Sequence, residues 1–133
     1  MPTARWNSGA VYIPGVGVLV VGGSAPNNAS STPERDAEIL GFINLDREGE
    51  MTWNKINPLL KPRGLISAAY VDDSVIVSSA GEETMEILSF QSGHPGQWTL
   101  ITVGIDECKM PYFLSSFNGN IILTGMIYSF FSN

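Results

Sequence analysis

The sequence predicts an all-β chain: about two and a half copies of one four-stranded antiparallel unit, the plan of an incomplete β-propeller. Three observations predict it. Short β-branched runs end in small residues at VLVVGG (Val18–Gly23), VIVSSAG (Val75–Gly81) and IILTG (Ile121–Gly125). Glu38-Ile-Leu-Gly-Phe42 returns as Glu86-Ile-Leu-Ser-Phe90, and Trp53-Asn-Lys-Ile returns as Trp98-Thr-Leu-Ile. The order of phrases is the same each time, at intervals of 57 and 46 residues for the first, 48 for the second and 45 for the third. A period near 50 with loops of uneven length divides the chain into units of roughly 1–57, 58–103 and 104–133.

Each unit reads as four strands in succession. The first holds small residues (Ser8 to Ile13, Leu65 to Val71, Tyr112 to Phe117) and ends in a tight turn (Pro14 to Gly17, Asp72 to Ser74, Asn118 to Asn120). Asn, Asp and Gly tolerate the positive φ that a short hairpin turn demands. The second strand is the β-branched run, apolar enough for burial on both faces. The third is EILGF or EILSF, and the fourth starts near Trp53 or Trp98. Ser31-Thr-Pro-Glu34 competes as a helix start, because Pro suits the first turn and Ser-x-x-Glu is a capping box.

Composition narrows the function classes. Apolar residues make up 44% and charged residues 15%, which suits a packed chain rather than a disordered one. Net charge is −6 with seven scattered basic residues, so a nucleic-acid partner is not expected, since phosphate binding needs clustered Lys and Arg. The longest uncharged stretch, Met110 to Asn133, is broken by Pro111, Asn118-Gly119-Asn120 and Gly125, so no membrane span is expected. One cysteine, Cys108, makes no internal disulfide, and Met1 to Trp6 lack a signal-peptide core; both suit a reducing, cytoplasmic setting.

No constellation reads as a catalytic centre. Gly15 to Gly22 fails the dinucleotide-loop spacing, because position 20 is valine. Asp46 to Trp53 has gaps of three and four where the Asp-box of sialidase propellers has two and three. His94 is the sole histidine and sits in the turn Ser92 to Gly96, which excludes a multi-histidine metal site. Carboxylates gather at Glu34-Asp36-Glu38, Asp46-Glu48-Glu50, Glu82-Glu83 and Asp106-Glu107, as solvated loops do on a β scaffold. Asn28-Ala-Ser30 is a sequon without a secretory leader. No enzyme activity, metal or cofactor is expected.

The phrases in this order resemble the kelch repeat. That family ends its second strand in a double glycine, matched by Gly22-Gly23, by Ala80-Gly81 and by Thr124-Gly125. Its aromatic position is matched by Phe42 and Phe90, its tryptophan by Trp53 and Trp98, and its proline–arginine link by Pro62-Arg63. Phenylalanine stands where tyrosine is usual, and Glu107 to Pro111 lacks the arginine. Arg5 and Arg63 each precede a glycine-pair end by 18 residues (Gly23, Gly81), a spacing that suggests one role, hydrogen bonding to linking carbonyls or a carboxylate.

The resemblance implies a protein-binding module, like the substrate-recognition half of proteins that recruit targets to a cullin-type ubiquitin ligase or like actin-binding propellers. Partners of such propellers dock on the face carrying the second-to-third-strand loops and the inter-blade links. That makes Asn27, Asn28, Glu34, Arg35 and Arg63 the candidate contact residues. The alternatives are a fragment of a propeller-scaffold enzyme, or a truncated chain with no function of its own. An arc of two and a half units is expected to be part of something longer or to self-associate through exposed apolar faces.

Overall fold

The structure is a computed structural model that describes residues 4–24, 37–42, 51–80, 82–102 and 113–124, with side chains at 4–24, 52–80, 82–102 and 113–122. Every element among them is a β-strand. The first sheet runs β1 (Gly9–Ile13), β2 (Gly17–Val21), β3 (Ala37–Phe42) and β4 (Met51–Lys55), in that spatial order and all antiparallel. The second repeats it with β5 (Ile66–Val71), β6 (Ser74–Ser79), β7 (Thr84–Gln91) and β8 (His94–Thr102). A hairpin follows, β9 (Phe113–Phe117) with β10 (Asn120–Thr124). The chain is therefore all-β, as expected, and strands β1, β5 and β9 lie side by side. No helix among the described residues is long and apolar enough to cross a membrane.

The ladders show how closely the units repeat. Val18 pairs with Leu40 and Leu40 with Trp53; in the second sheet Val75 pairs with Leu88 and Leu88 with Trp98. Glu38 opposite Val20 likewise corresponds to Glu86 opposite Val77. The glycine phrase shifts, however. Pro14 to Val16 place three residues between the paired Ile13 and Gly17, whereas Asp72 and Asp73 place two between Val71 and Ser74. Gly22-Gly23 thus correspond to Ser79-Ala80, one residue earlier than the expected Ala80-Gly81. Gly81, Gly125, Cys108 and the Ser31–Glu34 segment lie outside the described residues.

Local chemistry explains the turns. Asp72 and Asp73 have φ of 47° and 56°, Ser92 and Gly93 of 48° and 77°, and Asn118 and Gly119 of 48° and 72°. Two successive positive φ values are those of the two-residue turn that matches strand twist. The Ser92-Gly93 turn was not anticipated: it starts β8 at His94, four residues before Trp98, and puts the histidine in an exposed strand end instead of a loop.

The core lies between the two four-stranded sheets. Alternation sends Val11, Ile13, Leu19 and Val21 of the first sheet toward Ile66, Ala68, Val75, Val77, Leu88, Phe90 and Trp98 of the second. Trp98 is 4% exposed and Phe90 7%, whereas Trp53 is half-buried; the side chain of Phe42 lies outside the described set. Gly9 is what lets the sheets approach, since a Cβ there would overlap the Ile66 side chain.

Gly22 and Gly23 turn the chain out of β2 with φ of 60° and 89°. A Cβ on Gly22 would lie 2.8 Å from the Arg63 carbonyl oxygen. Gly22→Ala therefore combines an unfavourable left-handed conformation with a backbone clash and is expected to cost about 2 kcal/mol, read as a lowered urea midpoint at unchanged m-value.

At the β5–β6 turn the Tyr70 hydroxyl donates to the Asp73 carboxylate at 2.9 Å. That hydrogen bond, then desolvation and the negative charge of Asp73, raise the phenol above its ordinary value of 10.0. A raised folded-state pKa means that the contribution to stability is present below the unfolded value and lost as pH rises through the folded one. Tyrosinate absorbance should show Asp73→Asn bringing one phenol back toward pH 10 and Tyr70→Phe removing that titration altogether.

Candidate functional site: the inter-sheet link and its cleft

Residues 56–65 carry the chain from β4 to β5, and the second sheet holds them down at several points. Leu59 is fully buried in the core, and Ile56 packs against it. The Trp98 indole donates to the Asn57 carbonyl at 2.8 Å, and the Asn57 amide donates to the Gly96 carbonyl at 3.2 Å. The backbone N–H of Leu60 donates to one oxygen of the Glu86 carboxylate. The other oxygen accepts from Nε of Arg63.

Arg63 is 1% exposed and Glu86 0%, so this ion pair is shut away from water. The guanidinium has further acceptors: Nη1 donates to the Ser79 hydroxyl at 2.9 Å and the Thr84 carbonyl at 2.7 Å, and Nη2 donates to the Thr84 hydroxyl at 2.9 Å. A buried charge is tolerated when it is paired and its remaining donors are satisfied, and here both conditions hold. Arg63 was assigned above to the partner-contacting set as well as to an anchoring role. Its burial corrects the first assignment: the side chain presents no surface to a partner, and its hydrogen bonds point inward. Arg5 stands at the corresponding position, four residues before Gly9 as Arg63 is four before Ser67, and donates to the Gly22 carbonyl at 3.0 Å.

The same link ties the two sheets together. The Gly23 N–H donates to the Arg63 carbonyl at 3.0 Å, the Ile66 N–H to the Asn7 carbonyl at 3.2 Å, and the Ala80 N–H to the Leu65 carbonyl at 3.3 Å. Above this seam opens a cleft of about 340 Å³, with Trp6, Asn7, Ser24, Leu65, Ala80 and Glu82 on its walls. Trp6 is 54% and Leu65 56% exposed, an unusual display of large apolar side chains beside an exposed carboxylate. Asn7 and Leu65 hold φ of 53° and 47°, and for a branched residue such as Leu65 this is a strained conformation. Both spend the strain on carbonyls turned to the seam hydrogen bonds just described.

The other expected contact residues, Asn27, Asn28, Glu34 and Arg35, lie outside the described residues; their segment begins directly after Ser24, on the cleft wall. Sequence reading passed over Trp6 and Leu65, which carry no motif, and treated Glu86 only as the first letter of a repeated phrase. The signal for Glu86 was there: it returns at the position of Glu38, in an inward-facing strand position where a carboxylate needs a cation. Among the described residues no group of three or more His, Cys, Asp or Glu side chains could hold a metal ion. No protein-family model matches this sequence, and no curated protein matches it either.

Removing one partner of the buried pair leaves the other charge uncompensated. Glu86→Ala or Arg63→Ala should cost about 3–5 kcal/mol in equilibrium unfolding, and Arg63→Met with Glu86→Leu together far less than the sum. Equal, additive losses of under 1 kcal/mol each would show that the pair is not the anchor described here.

Proposed function

We propose that this chain is a portion of a kelch-like β-propeller and serves as a protein-binding module, with the cleft over the inter-sheet link as the centre of its docking face. The carrying observation is the placement of that cleft. Exposed Trp6 and Leu65 stand beside Glu82, on a seam whose backbone is fixed by hydrogen bonds between two sheets. Aromatic and aliphatic anchors on a rigid base, with polar residues at the rim, are what protein partners use most. The consecutive meander order of both sheets supports the propeller reading, because each propeller blade is one such sheet. A cytoplasmic role as the target-recognition part of a cullin-type ubiquitin ligase, or in binding actin, follows from the kelch resemblance alone.

The test is affinity capture with the full chain as bait, quantified by mass spectrometry. Two bait variants carry substitutions at the docking face: Trp6→Ala alone, and Asn27, Asn28, Glu34 and Arg35 all changed to Ala. A partner bound by the native chain should fall at least tenfold with one or both, at unchanged far-UV circular dichroism. A capture profile identical across all three baits would remove the cleft and its neighbouring segment from the binding site.

A further inference from the structure

The ladders assign every inner-strand residue to one of two faces. Call the forward face the one a sheet turns to the next unit, and the backward face the one it turns to the unit before. On β1, Gly9, Val11 and Ile13 face forward, because they pack toward Ile66, Ala68 and Tyr70. On β5, Ser67 faces forward: its hydroxyl accepts from the Leu114 N–H of β9 at 2.8 Å. Matched hairpin registers make Gly9, Ser67 and Phe113 equivalent, likewise Ala10, Ala68 and Leu114, and likewise Ile13, Val71 and Phe117. Tyr12 and Tyr70 are equivalent and both face backward.

Two faces are left open. The forward face of the β9–β10 hairpin exposes Phe113 at 57%, Phe117 at 67% and Ile122 at 43%. The backward face of the first sheet exposes Tyr12 at 62%, beside the small Ala10. At the covered seam the same positions behave otherwise: Ile13 is 1% exposed, and Ile13 and Tyr70 lie together on one cleft wall. The seams also pair small with large residues. Gly9 receives Ile66, and Ser67 receives Leu114. Phe113 against Ala10 would continue that rule in the opposite sense. Neither surface brings charge to the contact, since residues 9–21 and 113–124 include no Asp, Glu, Lys or Arg, so the net charge of −6 does not oppose it locally.

We infer that the hairpin face Phe113, Phe117 and Ile122 docks on the Ala10–Tyr12 face of a second copy of this chain, head to tail, reproducing the internal seam between sheets. Phe117 then sits by Tyr12 of the other copy as Ile13 sits by Tyr70 within one chain. Such a contact uses different surfaces on the two copies, so it forms closed rings or runs on according to the rotation it imposes. It rests on the repeat register and is independent of any partner at the link cleft.

Sedimentation velocity over a concentration series tests it, with Phe117→Lys and Tyr12→Lys made separately; both side chains are exposed, and circular dichroism checks that folding is retained. The native chain should sediment as two or more copies. Each variant alone should be monomeric or weakened at least tenfold, because every contact then lacks one half. Mixed in equal amounts, the two variants should form a one-to-one pair through the single intact contact. A native chain that stays monomeric to about 1 mM, weaker than any specific contact of this kind, would overturn the inference. So would a Tyr12→Lys chain that associates as well as the native one, since that would mean hairpin-to-hairpin contact. Should Lys unfold either chain, Phe117→Ser and Tyr12→Ser carry the same comparison.

Discussion

The Arg63–Glu86 pair is the constraint around which the rest is arranged. Placing two charges where neither is exposed forfeits their hydration, a loss that mutual attraction alone does not reliably offset. The offset comes from saturation. Glu86 uses one oxygen for the Leu60 N–H and the other for Arg63, while Arg63 spreads its remaining donors over Ser79 and Thr84. Those partners belong to the link and to strands β6 and β7, so the geometry that satisfies one charge positions three segments at once. Arg63 then exports the order it receives, because its carbonyl accepts the Gly23 N–H of the first sheet. A hydrophobic pair in the same place could fill the volume but could not hold the link in one register.

Packing does the remaining work. Between the sheets a continuous apolar layer runs from Val11 and Ile13 through Val75, Val77 and Leu88 to Trp98, and Leu59 of the link closes one end. Close approach requires a small residue on one side of each seam, hence Gly9 below Ile66 and Ser67 opposite Leu114. Ser67 adds a hydrogen bond where Gly9 offers only room, so the second seam is pinned where the first is merely close. The link cleft lies above the firmest of these contacts, which places the exposed Trp6 and Leu65 on a base that does not have to reorganise when they are covered.

Much of this was legible in the sequence, and for a physical reason. Strand lattices are periodic, so repeated phrases in a fixed order, such as EIL at 38 and 86 or Trp at 53 and 98, map onto repeated ladder positions. The shared role of Arg5 and Arg63 was legible for the same reason, although the spacing argument was one residue out. It counted through the β1–β2 and β5–β6 turns as if they were equal, and the turn at Pro14 to Val16 holds an extra residue. What sequence did not disclose was which of its polar residues go inside. Glu86 looks like any strand carboxylate until Arg63 is folded onto it across 23 residues, and Trp6 and Leu65 look like core residues until the seam leaves them on the surface.

That last reversal bears on how the link region could carry recognition without weakening the fold. Large apolar side chains at the surface cost solubility, and left-handed φ at Leu65 costs backbone energy. Neither cost falls on the core, because the groups that close the seam are backbone carbonyls of Asn7, Arg63 and Leu65. Side chains at Trp6 and Leu65 are therefore free to change without breaking a seam hydrogen bond, whereas the side chain of Arg63 is not. Stability and recognition are thus assigned to different atoms of the same ten-residue link region: the main chain and Arg63 hold the sheets, and the outward side chains are left to meet whatever docks there.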